Sequence, residues 1–472
     1  MKDVQFVTEN SAKQNNLEAI MTKWTLTEIA DVVGGELIHA PATKLTVTSV
    51  SGDSRSLEDG ALFVPIIAER DGHEFIEGAI KNGAVAAFWS EDSDKAPSDF
   101  PLIKVEDTLV AYKEMAKWHL KRVNPKVVGI TGSNGKTTTK DMTTAVLQTK
   151  YKTHKTAANE NNQLGVPKTI LSMPNDTEVL VLEMGMSHPG EITIHSTMGQ
   201  PDVAVITMIG ESHIEAFDGS REKLAQEKLA ILSGLKESGL FIRPVDEELI
   251  TSQFDHQIRN HTFGWDDTAD VYAENVIGDA TSTTFTVDSE TITIPVPGKY
   301  NVSNALIAIL VGQEFGISLA GAKKGLENLE MTKNRLEWLD GENAIRLLND
   351  AYNASPTSMT AALDYFADID VDGDKIVVLG DIRELGERSK EYHEKLTEGI
   401  ELSQFKAILL YGDEMKALYD KIADEHDLVR HFTGEKEPLI KAIRENAEAK
   451  DSILFKSSNG TDLLSVVDQL KI

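Results

Sequence analysis

The sequence predicts an α/β protein built from three domains, and three observations support this prediction. The 472 residues exceed what one hydrophobic core usually supports, and about 150 residues per domain suggests three domains. Short apolar runs alternate with helix-like segments along the chain, which is typical of parallel sheets covered by helices. The 41% of hydrophobic and 26% of charged residues exclude a mostly disordered or fibrous chain.

The first predicted domain, residues 21–123, is a small α/β domain. The segment TLTEIADVVGG predicts an amphipathic helix that is stopped by Gly34. ALFVPI and VAAFWS are predicted strands, HEFIEGAIKNGA is a predicted helix, and Asn124-Pro125 breaks the pattern. Residues 1–20 are interpreted as an N-terminal extension, because Met21 begins a second plausible start.

The second predicted domain, residues 124–330, contains the apolar runs KVVGIT, EVLVLEMG and DVAVIT, each followed by small or polar residues and a helix-like segment. This order predicts a mostly parallel sheet covered on both faces. Residues 270–296 are rich in Thr and Val in alternation, and they predict an antiparallel meander at the edge of this domain.

The third predicted domain, residues 331–472, has the predicted strands IRLLND, KIVVLGD, AILLYG and SILFKS. Helix-like segments separate these strands. The alternation predicts a second doubly wound, Rossmann-like α/β unit.

Charge and cysteine content exclude several classes of function. The chain has 47 Lys and Arg against 76 Asp and Glu, so its net charge is −29, and it should repel nucleic acid and anionic membranes outside any local basic patch. The absence of cysteine excludes disulfides, thiolate metal sites and a cysteine nucleophile, and it fits a reducing cytoplasm. No apolar run approaches the length of a membrane span, and the first residues lack a secretory signal pattern. We expect a cytoplasmic monomer.

The sharpest motif is VVGITGSNGKTT, which predicts a strand, a small-residue loop and a helix in that order. Backbone amides of such a loop and the helix N-terminus together bind phosphate oxygens, Lys136 would reach the β- and γ-phosphates, and the Thr137 hydroxyl would bind Mg²⁺. Ile130 stands where the strict motif has Gly, so an ordinary glycine-rich turn is the alternative. The predicted phosphate-binding residues are Thr131, Gly132, Ser133, Asn134, Gly135, Lys136, Thr137 and Thr138.

Acidic and imidazole side chains follow the next predicted strands. Glu183 ends EVLVLE, at the sheet edge where ligands of open α/β sheets bind, and a carboxylate there suits Mg²⁺. A solvent-facing acid is the alternative for Glu183. His213 follows DVAVIT and would lie near Glu183 if the two strands are parallel neighbours, although a lone loop histidine is usually a surface residue. The local sequence alone predicts that Lys228 is a solvent-exposed lysine on a helix.

Two further pairs of polar residues each have two alternative interpretations, as a ligand contact or as a helix cap. Asn301 and Asn304 at the start of a predicted helix suit either an adenine edge or an N-cap. Asp350 and Asp381 end predicted strands, where an Asp is equally a ligand contact or a helix cap. The sequence has no G-x-S-x-G, no H-E-x-x-H and no G-x-G-x-x-G after a strand, which weighs against hydrolases and dinucleotide oxidoreductases.

The chain resembles the Mur ligase family along almost its whole length, and the order and spacing of the matching blocks carry the resemblance. The blocks are TGSNGKTTTK (131–140), NENNQLGVPKTIL (159–171), EMGMSHPGEI (183–192), SHIEAFDGSREKLAQEKLAI (212–231), GKYNVSNALIAI (298–309), LLNDAYNASPTSM (347–359) and VLGDIRELG (378–386).

Within the family, the resemblance implies the activity that joins D-alanyl-D-alanine to UDP-N-acetylmuramoyl-tripeptide through an acyl phosphate, in peptidoglycan precursor synthesis. A ligase for the third residue, lysine or diaminopimelate, would carry a DNPR-type motif where this chain reads Asn353-Ala-Ser-Pro-Thr. That ligase and a folylpolyglutamate-synthase-like ligase are the nearest alternatives. A P-loop regulatory or motor protein and a non-catalytic binding module are alternatives of other classes.

The resemblance also implies a role for each domain and for individual residues. The three domains would bind the UDP-sugar, ATP and the dipeptide, in chain order. Lys136, His213 and Lys228 would be catalytic, Glu183 and His213 would bind Mg²⁺, and carbamylated Lys228 would hold a second Mg²⁺. The implied nucleotide contacts are Asn301, Asn304, Arg335 and Asp350, and the implied substrate contacts are Ser54, Arg55, Asn161, Asn162, Asn353 and Ser355. One departure is Lys456-Ser-Ser-Asn, where the family usually reads K-G-S-R.

Overall fold

A computed structural model of the chain describes residues 23–41, 44–330, 336–399, 401–425 and 428–472. The predicted extension, residues 1–20, lies outside these described residues. The chain folds into two units, and each is described by itself. The first unit comprises residues up to 128 with 151–182 and 197–200, and the second comprises 129–150, 183–196 and 201–472. No helix in the described segments is both long and apolar enough to span a membrane.

The N-terminal part of the first unit is built on a five-stranded sheet. The strands are β1 (Trp24–Thr25), β2 (Glu36–Ile38), β3 (Thr46–Val47), β4 (Ser49–Ser51), β5 (Ala61–Phe63), β6 (Ala84–Trp89) and β7 (Leu102–Lys104), and the helices are α1 (Leu26–Val33), α2 (Ile76–Lys81) and α3 (Thr108–Val123). The sheet order is β2-β7-β6-β5-β4, and only the β2–β7 pair is antiparallel. Strands β1 and β3 form a separate antiparallel pair.

Local sequence signals set the ends of these helices. Thr25 and Glu28 form a capping box at the start of α1, in which each side chain accepts a hydrogen bond from the other's backbone N–H. Helix α1 ends at Gly34, whose φ of 66° is the left-handed conformation that glycine adopts without strain. The predicted helix stop at Gly34 is therefore confirmed.

A seven-stranded sheet follows along the chain. Its strands are β8 (Lys126–Thr131), β9 (Thr153–Lys155), β10 (Val179–Glu183), β11 (Val203–Ile206), β12 (Leu240–Pro244), β13 (Asn260–Gly264) and β14 (Val271–Tyr272), in the order β14-β13-β12-β11-β8-β10-β9. The pairs β9–β10, β11–β12, β12–β13 and β13–β14 are parallel, as the buried apolar runs predicted. The helices of this region are α4 (Lys136–Leu147), α5 (Gly165–Leu171), α6 (Glu191–Gly199), α7 (Arg221–Leu229), α8 (Glu248–Thr251), α9 (Tyr300–Glu314) and α10 (Leu319–Glu327).

The predicted antiparallel meander is present, but its extent differs from the prediction. Strands β15 (Glu274–Gly278), β16 (Thr283–Val287) and β17 (Glu290–Ile294) form an antiparallel sheet of their own. The first residues of the predicted meander instead form β14, which pairs in parallel with β13. Alternate side chains of β16 and β17 are buried, and β17 packs against α10, so the meander has its own apolar face to cover.

The C-terminal sheet is doubly wound, as predicted. Its strands are β18 (Glu337–Asp340), β19 (Arg346–Asp350), β20 (Lys375–Gly380), β21 (Ala407–Tyr411), β22 (Val429–Phe432) and β23 (Ser452–Lys456), in the order β18-β19-β23-β20-β21-β22, and all neighbours except β18–β19 are parallel. The helices are α11 (Pro356–Asp368), α12 (Ser389–Lys395), α13 (Lys416–Ile422), α14 (Glu437–Asn446) and α15 (Leu464–Leu470). Successive residues of β23, such as Ile453 and Leu454, enter two different apolar clusters, one on each face of the sheet.

His119 in α3 is a buried imidazole of the first unit, and its burial makes the stability of this unit depend on pH. Its ring packs edge-on against Trp24 at 5.2 Å, and its Nε2 lies 3.1 Å from the carbonyl oxygen of Met173. Burial lowers the pKa of His119 to about 4, whereas an unfolded histidine has a pKa of about 6.5.

We predict that acidification destabilises the first unit through His119. Between about pH 6.5 and about pH 4, His119 binds a proton in the unfolded chain but not in the folded chain. The free energy of unfolding therefore falls over this pH range, by about 3 kcal/mol in total. His119→Gln keeps a donor for the Met173 carbonyl and takes up no proton, so its urea midpoint should fall less over this pH range. Exposed His39→Gln is the matched control, and identical pH dependence of wild type and His119→Gln would contradict the prediction.

Candidate active site

The predicted phosphate-binding loop joins β8 to α4. Gly132 has φ of 149°, and a Cβ there would lie 1.8 Å from Thr207 Oγ1, so only glycine fits. The loop is held by Thr207, whose hydroxyl donates to the carbonyl of Asn134 at 2.5 Å, and by the Ser133 N–H, which donates to the carbonyl of Met208 at 2.9 Å. The loop is therefore fixed by the end of the neighbouring strand β11.

Helix α4 starts at Lys136, directly after Gly135 in the left-handed conformation. The Lys136 Nζ donates to the carbonyls of Gly132 at 2.8 Å and Ser133 at 3.2 Å, so its ammonium lies over the loop. Thr137 and Thr138 follow in the first turn, where backbone N–H groups and the helix dipole favour an anion. Loop, lysine and helix end together form a compact site for phosphate groups.

Glu183 and Thr137 meet beside this loop. Glu183 is 1% exposed at the end of β10, and its Oε1 accepts a hydrogen bond from Thr137 Oγ1 at 3.1 Å. Fully buried Lys140, one turn along α4, lies with its Nζ 3.6 Å from Glu183 Oε2. A hydroxyl and a carboxylate in contact beside a phosphate loop are oxygen donors that fit Mg²⁺. The sequence did not single out Lys140, because a helical lysine normally faces solvent.

His213 lies in another contact. It adopts the left-handed conformation before a 3₁₀ turn, Ile214–Phe217, and its Nδ1 lies against the carboxylate of Glu384. The pKa of Glu384 lies below its usual range chiefly because of this contact. Across the described segments, no three His, Asp or Glu side chains converge as a metal centre, so the structure does not join His213 to Glu183 in such a cluster. Any Mg²⁺ here would take further oxygen ligands from a nucleotide.

Lys228 is buried in α7 with 1% exposure, which excludes the solvated lysine of the alternative interpretation. Its pKa lies well below the usual range, first because burial disfavours the ammonium and second because the Lys136 charge is near. No hydrogen bond or ion pair involves its amine in the part of the chain that the structure describes. Burial therefore disfavours the charged form of this amine.

Asn301 and Asn304 lie at the start of α9 and connect it to α4. Asn304 Oδ1 accepts from Thr139 Oγ1 at 3.0 Å, its Nδ2 donates to Asn301 Oδ1 at 3.0 Å, and Asn301 Nδ2 donates to the carbonyl of Pro297 at 2.7 Å. Neither side chain caps α9, whose N-cap is Lys299. The capping alternative is therefore excluded for this pair.

A cavity of about 230 Å³ lies beside Asn304 and the phosphate loop. Trp265 lies on this cavity with 47% of its surface exposed, and Phe263 and Tyr300 contribute further aromatic lining. An exposed tryptophan next to a phosphate loop is suited to stack on a planar base. The sequence reasoning missed Trp265. The available signal was the aromatic pair Phe-Gly-Trp that ends and follows β13, at the sheet edge that carries the loop.

The carboxyl ends of the C-terminal strands carry the remaining predicted contacts of the second unit. Asp350 caps no helix and instead accepts from buried Lys456 at 2.5 Å, and Lys456 also donates to the carbonyl of Asn353 at 3.2 Å. Ser355 is the N-cap of α11, and its Oγ accepts from Asn134 Nδ2 at 2.9 Å. The structure thus brings Asn134 of the phosphate loop to Ser355.

Asp381 follows β20 and is fully buried. One of its carboxylate oxygens accepts from the Met415 N–H at 2.9 Å, and Arg383 lies 3.5 Å from the other. Burial raises the pKa of Asp381 above its usual value. Its side chain holds the loop after β20 rather than facing an open site.

The other predicted substrate residues lie in the first unit. Arg55 is 87% exposed and forms a bidentate ion pair with Asp53, whose pKa falls to about 2 chiefly because of that contact. The Ser54 carbonyl accepts from Asn82 Nδ2 at 2.8 Å. Asn162 Oδ1 accepts from two backbone N–H groups at the start of α5, and Asn161 precedes it. Arg335, the remaining predicted nucleotide contact, lies outside the described residues.

The chain is similar to known proteins over nearly its whole length. A model of the Mur ligase middle domain matches residues 130–312, and a model of the Mur ligase glutamate ligase domain matches residues 334–459. A UDP-N-acetylmuramoyl-tripeptide–D-alanyl-D-alanine ligase of Bacillus subtilis is 42% identical over 95% of this chain and 99% of its own.

Two solved structures extend the similarity to the fold. A crystal structure of MurF from Acinetobacter baumannii, 28% identical, superposes with a TM-score of 0.83 over 95% of this chain and 99% of its own. A MurF ligase from Thermotoga maritima in complex with ADP, 26% identical, has a TM-score of 0.77 over 89% of this chain and 96% of its own.

Proposed function

The chain belongs to the Mur ligase family, and from this premise we propose that it joins D-alanyl-D-alanine to UDP-N-acetylmuramoyl-tripeptide at the expense of ATP. The observation that carries the proposal is the phosphate loop with Lys136 above it and the buried Thr137–Glu183 pair beside it. The 42% identity to a ligase of that name over 95% of the chain supports the choice of substrates. The reaction is amide formation, and we place it in the cytoplasm with the chain acting as a monomer.

The chemistry requires activation because a carboxylate has no good leaving group. A carboxylate oxygen of the tripeptide attacks the γ-phosphorus of ATP, the bond to the bridging oxygen of ADP breaks, and an acyl phosphate forms. The D-alanyl-D-alanine amine then attacks the acyl carbon. The tetrahedral intermediate collapses to the amide, and phosphate leaves as the amine loses its proton.

The first step brings two anions together, in a chain that is itself strongly acidic. Lys136 and the amides of the loop and of α4 offset this repulsion, since they hold positive charge where the transferring phosphoryl group develops negative charge. Asn301 and Asn304 would hold the nucleotide at the start of α9. Asp350, and Arg335 outside the described residues, are proposed nucleotide contacts from the C-terminal segment.

Thr137 and Glu183 are the residues that would hold Mg²⁺, and a bound Mg²⁺ would neutralise charge on the phosphates. We propose His213 and Lys228 as further members of this site. Burial favours the neutral form of the Lys228 amine, which is the form that would attack carbon dioxide, with loss of a proton, to give a carbamate. The carbamate would turn a residue next to Lys136 from a potential cation into an oxygen ligand.

We propose that each predicted domain holds one substrate: 21–123 the UDP-sugar, 124–330 ATP and 331–472 the dipeptide. Ser54 and Arg55 are the proposed contacts for the UDP-sugar, and Asn161 and Asn162 are proposed further substrate contacts. Asn353 and Ser355 are the proposed contacts for the dipeptide. Whether the tripeptide ends in lysine or diaminopimelate is decided by the assay below.

The test is phosphate release from ATP with each substrate omitted in turn, run with a lysine-ending and with a diaminopimelate-ending tripeptide, followed by mass analysis of the product. A ligase of this specificity needs both the tripeptide nucleotide and D-alanyl-D-alanine, and Lys136→Ala should lower its rate by about 100-fold or more. Phosphate release that does not require the UDP-sugar would indicate a P-loop ATPase instead of a ligase. Activity with a free amino acid in place of the dipeptide would favour the third-residue ligase.

We predict that Trp265 contributes to nucleotide affinity through the base alone. Stacking on an aromatic ring is worth about 1–3 kcal/mol, so Trp265→Ala should weaken ADP binding by about 5- to 150-fold, and Trp265→Phe should weaken it less. Binding of inorganic tripolyphosphate, which has no base, should be unchanged. Calorimetry with both ligands measures this, and equal losses for ADP and tripolyphosphate would place Trp265 in the folding of the loop instead.

We predict that Lys228→Ala lowers the ligase rate by about 100-fold or more and that added short carboxylic acids restore part of the rate. The acids would occupy the position left by the carbamate. Lys223→Ala is the matched control, because Lys223 lies on the same helix, is exposed and pairs with Asp218. A loss that no carboxylic acid repairs would show that Lys228 acts as an amine or a cation.

A further inference from the structure

A hydrogen-bonded pair, Asn134 and Ser355, joins the phosphate loop to the start of α11. Ser355 Oγ accepts from Asn134 Nδ2 at 2.9 Å, and Asn134 Oδ1 lies 3.2 Å from the same hydroxyl, within reach of its proton. The two residues are 221 positions apart in the chain, and Ser355 is 1% exposed. The C-terminal segment therefore contacts the phosphate loop through a buried hydroxyl.

The hydrogen-bonding capacity of the Ser355 hydroxyl is used inside the fold. Ser355 is the N-cap of α11, so its Oγ also accepts from the Ser358 N–H, at 3.2 Å. Its own proton has two acceptors, Asn134 Oδ1 and Ser358 Oγ, each at 3.2 Å. A hydroxyl offers one donor and two acceptor lone pairs, and all three are occupied here. A dipeptide would therefore contact other atoms of this residue.

Asn134 lies where its position affects a bound nucleotide. It directly precedes Gly135 and Lys136, which begin α4, and it lines the cavity of about 230 Å³ that Trp265 also lines. Its backbone carbonyl accepts from the Thr207 hydroxyl at 2.5 Å. The end of β11 thus fixes the backbone of Asn134, whereas the start of α11 fixes its side chain.

The first turn of α11 contacts the nucleotide-binding segment at a second point. Thr357 Oγ1 donates to Glu211 Oε2 at 2.5 Å, and the neighbouring Gly210 N–H donates to Ser133 Oγ at 2.9 Å. A Cβ on Gly210 would lie 3.2 Å from Thr357 Oγ1 and 3.4 Å from Ser133 Cβ. The helix turn, this glycine and the phosphate loop are therefore closely packed, which fixes α11 relative to the loop.

We propose that Ser355 is a positioning residue for nucleotide binding, and that it acts by holding the side chain of Asn134. Without the hydroxyl, the Asn134 amide loses the hydrogen bonds that orient it, and ordering it again when phosphate binds lowers the affinity. Docking of the C-terminal segment therefore raises the affinity of the loop for phosphate groups. The inference rests on the proposed function for the identity of the ligand. It gives Ser355 a role separate from the dipeptide contact proposed above.

Removing the Ser355 hydroxyl also removes a helix cap, and three variants separate the two effects. Ser355→Ala loses both the cap and the contact with Asn134. Ser355→Gly loses the contact but weakens the helix end much less, because glycine is tolerated at an N-cap. Ser355→Thr keeps a hydroxyl for both roles. Ser318→Ala is the matched control, since Ser318 is the exposed N-cap of α10 and accepts from the Gly321 N–H at 3.2 Å.

Calorimetric titration with ADP and with inorganic tripolyphosphate measures the effect without catalysis. Loss of hydrogen bonding to Asn134 should weaken both ligands by about 2- to 10-fold in Ser355→Ala and in Ser355→Gly. Both ligands are affected because the loop binds phosphates, whereas Trp265→Ala should weaken ADP alone. Ser355→Thr and Ser318→Ala should bind both ligands as the wild type does. Unchanged affinity in Ser355→Ala, or a loss that Ser355→Gly does not share, would overturn the proposal.

A double-mutant cycle tests whether Ser355 acts through Asn134. In an Asn134→Ala background, Ser355→Ala should weaken ADP binding no further, and an equal loss in both backgrounds would overturn the proposal.

Kinetics separate this role from a dipeptide contact. Ser355→Ala should raise KM for ATP and leave KM for D-alanyl-D-alanine unchanged, and a rise in the dipeptide KM alone would overturn the proposal. Wild-type protein that binds ADP but forms no ligase product would contradict the proposed function, and the titrations would still decide the role of Ser355. Wild-type protein that binds neither ADP nor tripolyphosphate would contradict both.

Discussion

Concentrating positive charge at one edge of an acidic molecule is the constraint on which the rest of this structure depends. With a net charge of −29, the chain as a whole repels the anions that a phosphate loop binds. Positive charge is therefore concentrated locally: loop amides, the N-terminus of α4 and Lys136 lie together at the end of β8. Such groups act at short range, where solvent screens them least. This requirement fixes the glycines, because any side chain at Gly132 would collide with Thr207.

Three lysines of this unit have different surroundings. Lys136 donates to two loop carbonyls, and Lys140 is buried against the carboxylate of Glu183. The pKa of Lys228 is lowered by burial and by the charge of Lys136. One ammonium therefore lies over the phosphate loop, one is paired with a carboxylate inside the fold, and the third amine is in surroundings that disfavour its charged form. This division gives each lysine a different chemistry in the same site.

Local patterns in the sequence predicted many of the buried strands, the phosphate loop and the helix stop at Gly34, because backbone preferences and burial act within a few residues. They could not predict contacts set by sheet order. Lys140 is a helical lysine, which normally faces solvent, but in the structure it is fully buried with its Nζ 3.6 Å from Glu183 Oε2. Likewise, Val271 belongs to a Thr- and Val-rich alternation, but its partner is Phe263 in a parallel pair. In the Lys456-Ser-Ser-Asn segment, the contacts come from the two residues that match K-G-S-R: Ser458 accepts from the Arg383 N–H and Lys456 pairs with Asp350. No contact in the described part of the chain explains the replacements at Ser457 and Asn459.

The nucleotide-binding and C-terminal segments meet through polar pairs and through apolar packing, since buried Ile214 lies in the apolar cluster of the C-terminal segment. The polar side-chain pairs include Asn134 with Ser355, Glu211 with Thr357 and His213 with Glu384. Contacts of this kind contribute little net free energy each, since water competes for the same groups. Separating the two segments would break the polar pairs at small cost but would also expose Ile214, so apolar packing adds to the cost of opening this interface. Two of the polar pairs involve the phosphate loop and the turn at His213, so the docked C-terminal segment also holds these two parts of the nucleotide-binding segment.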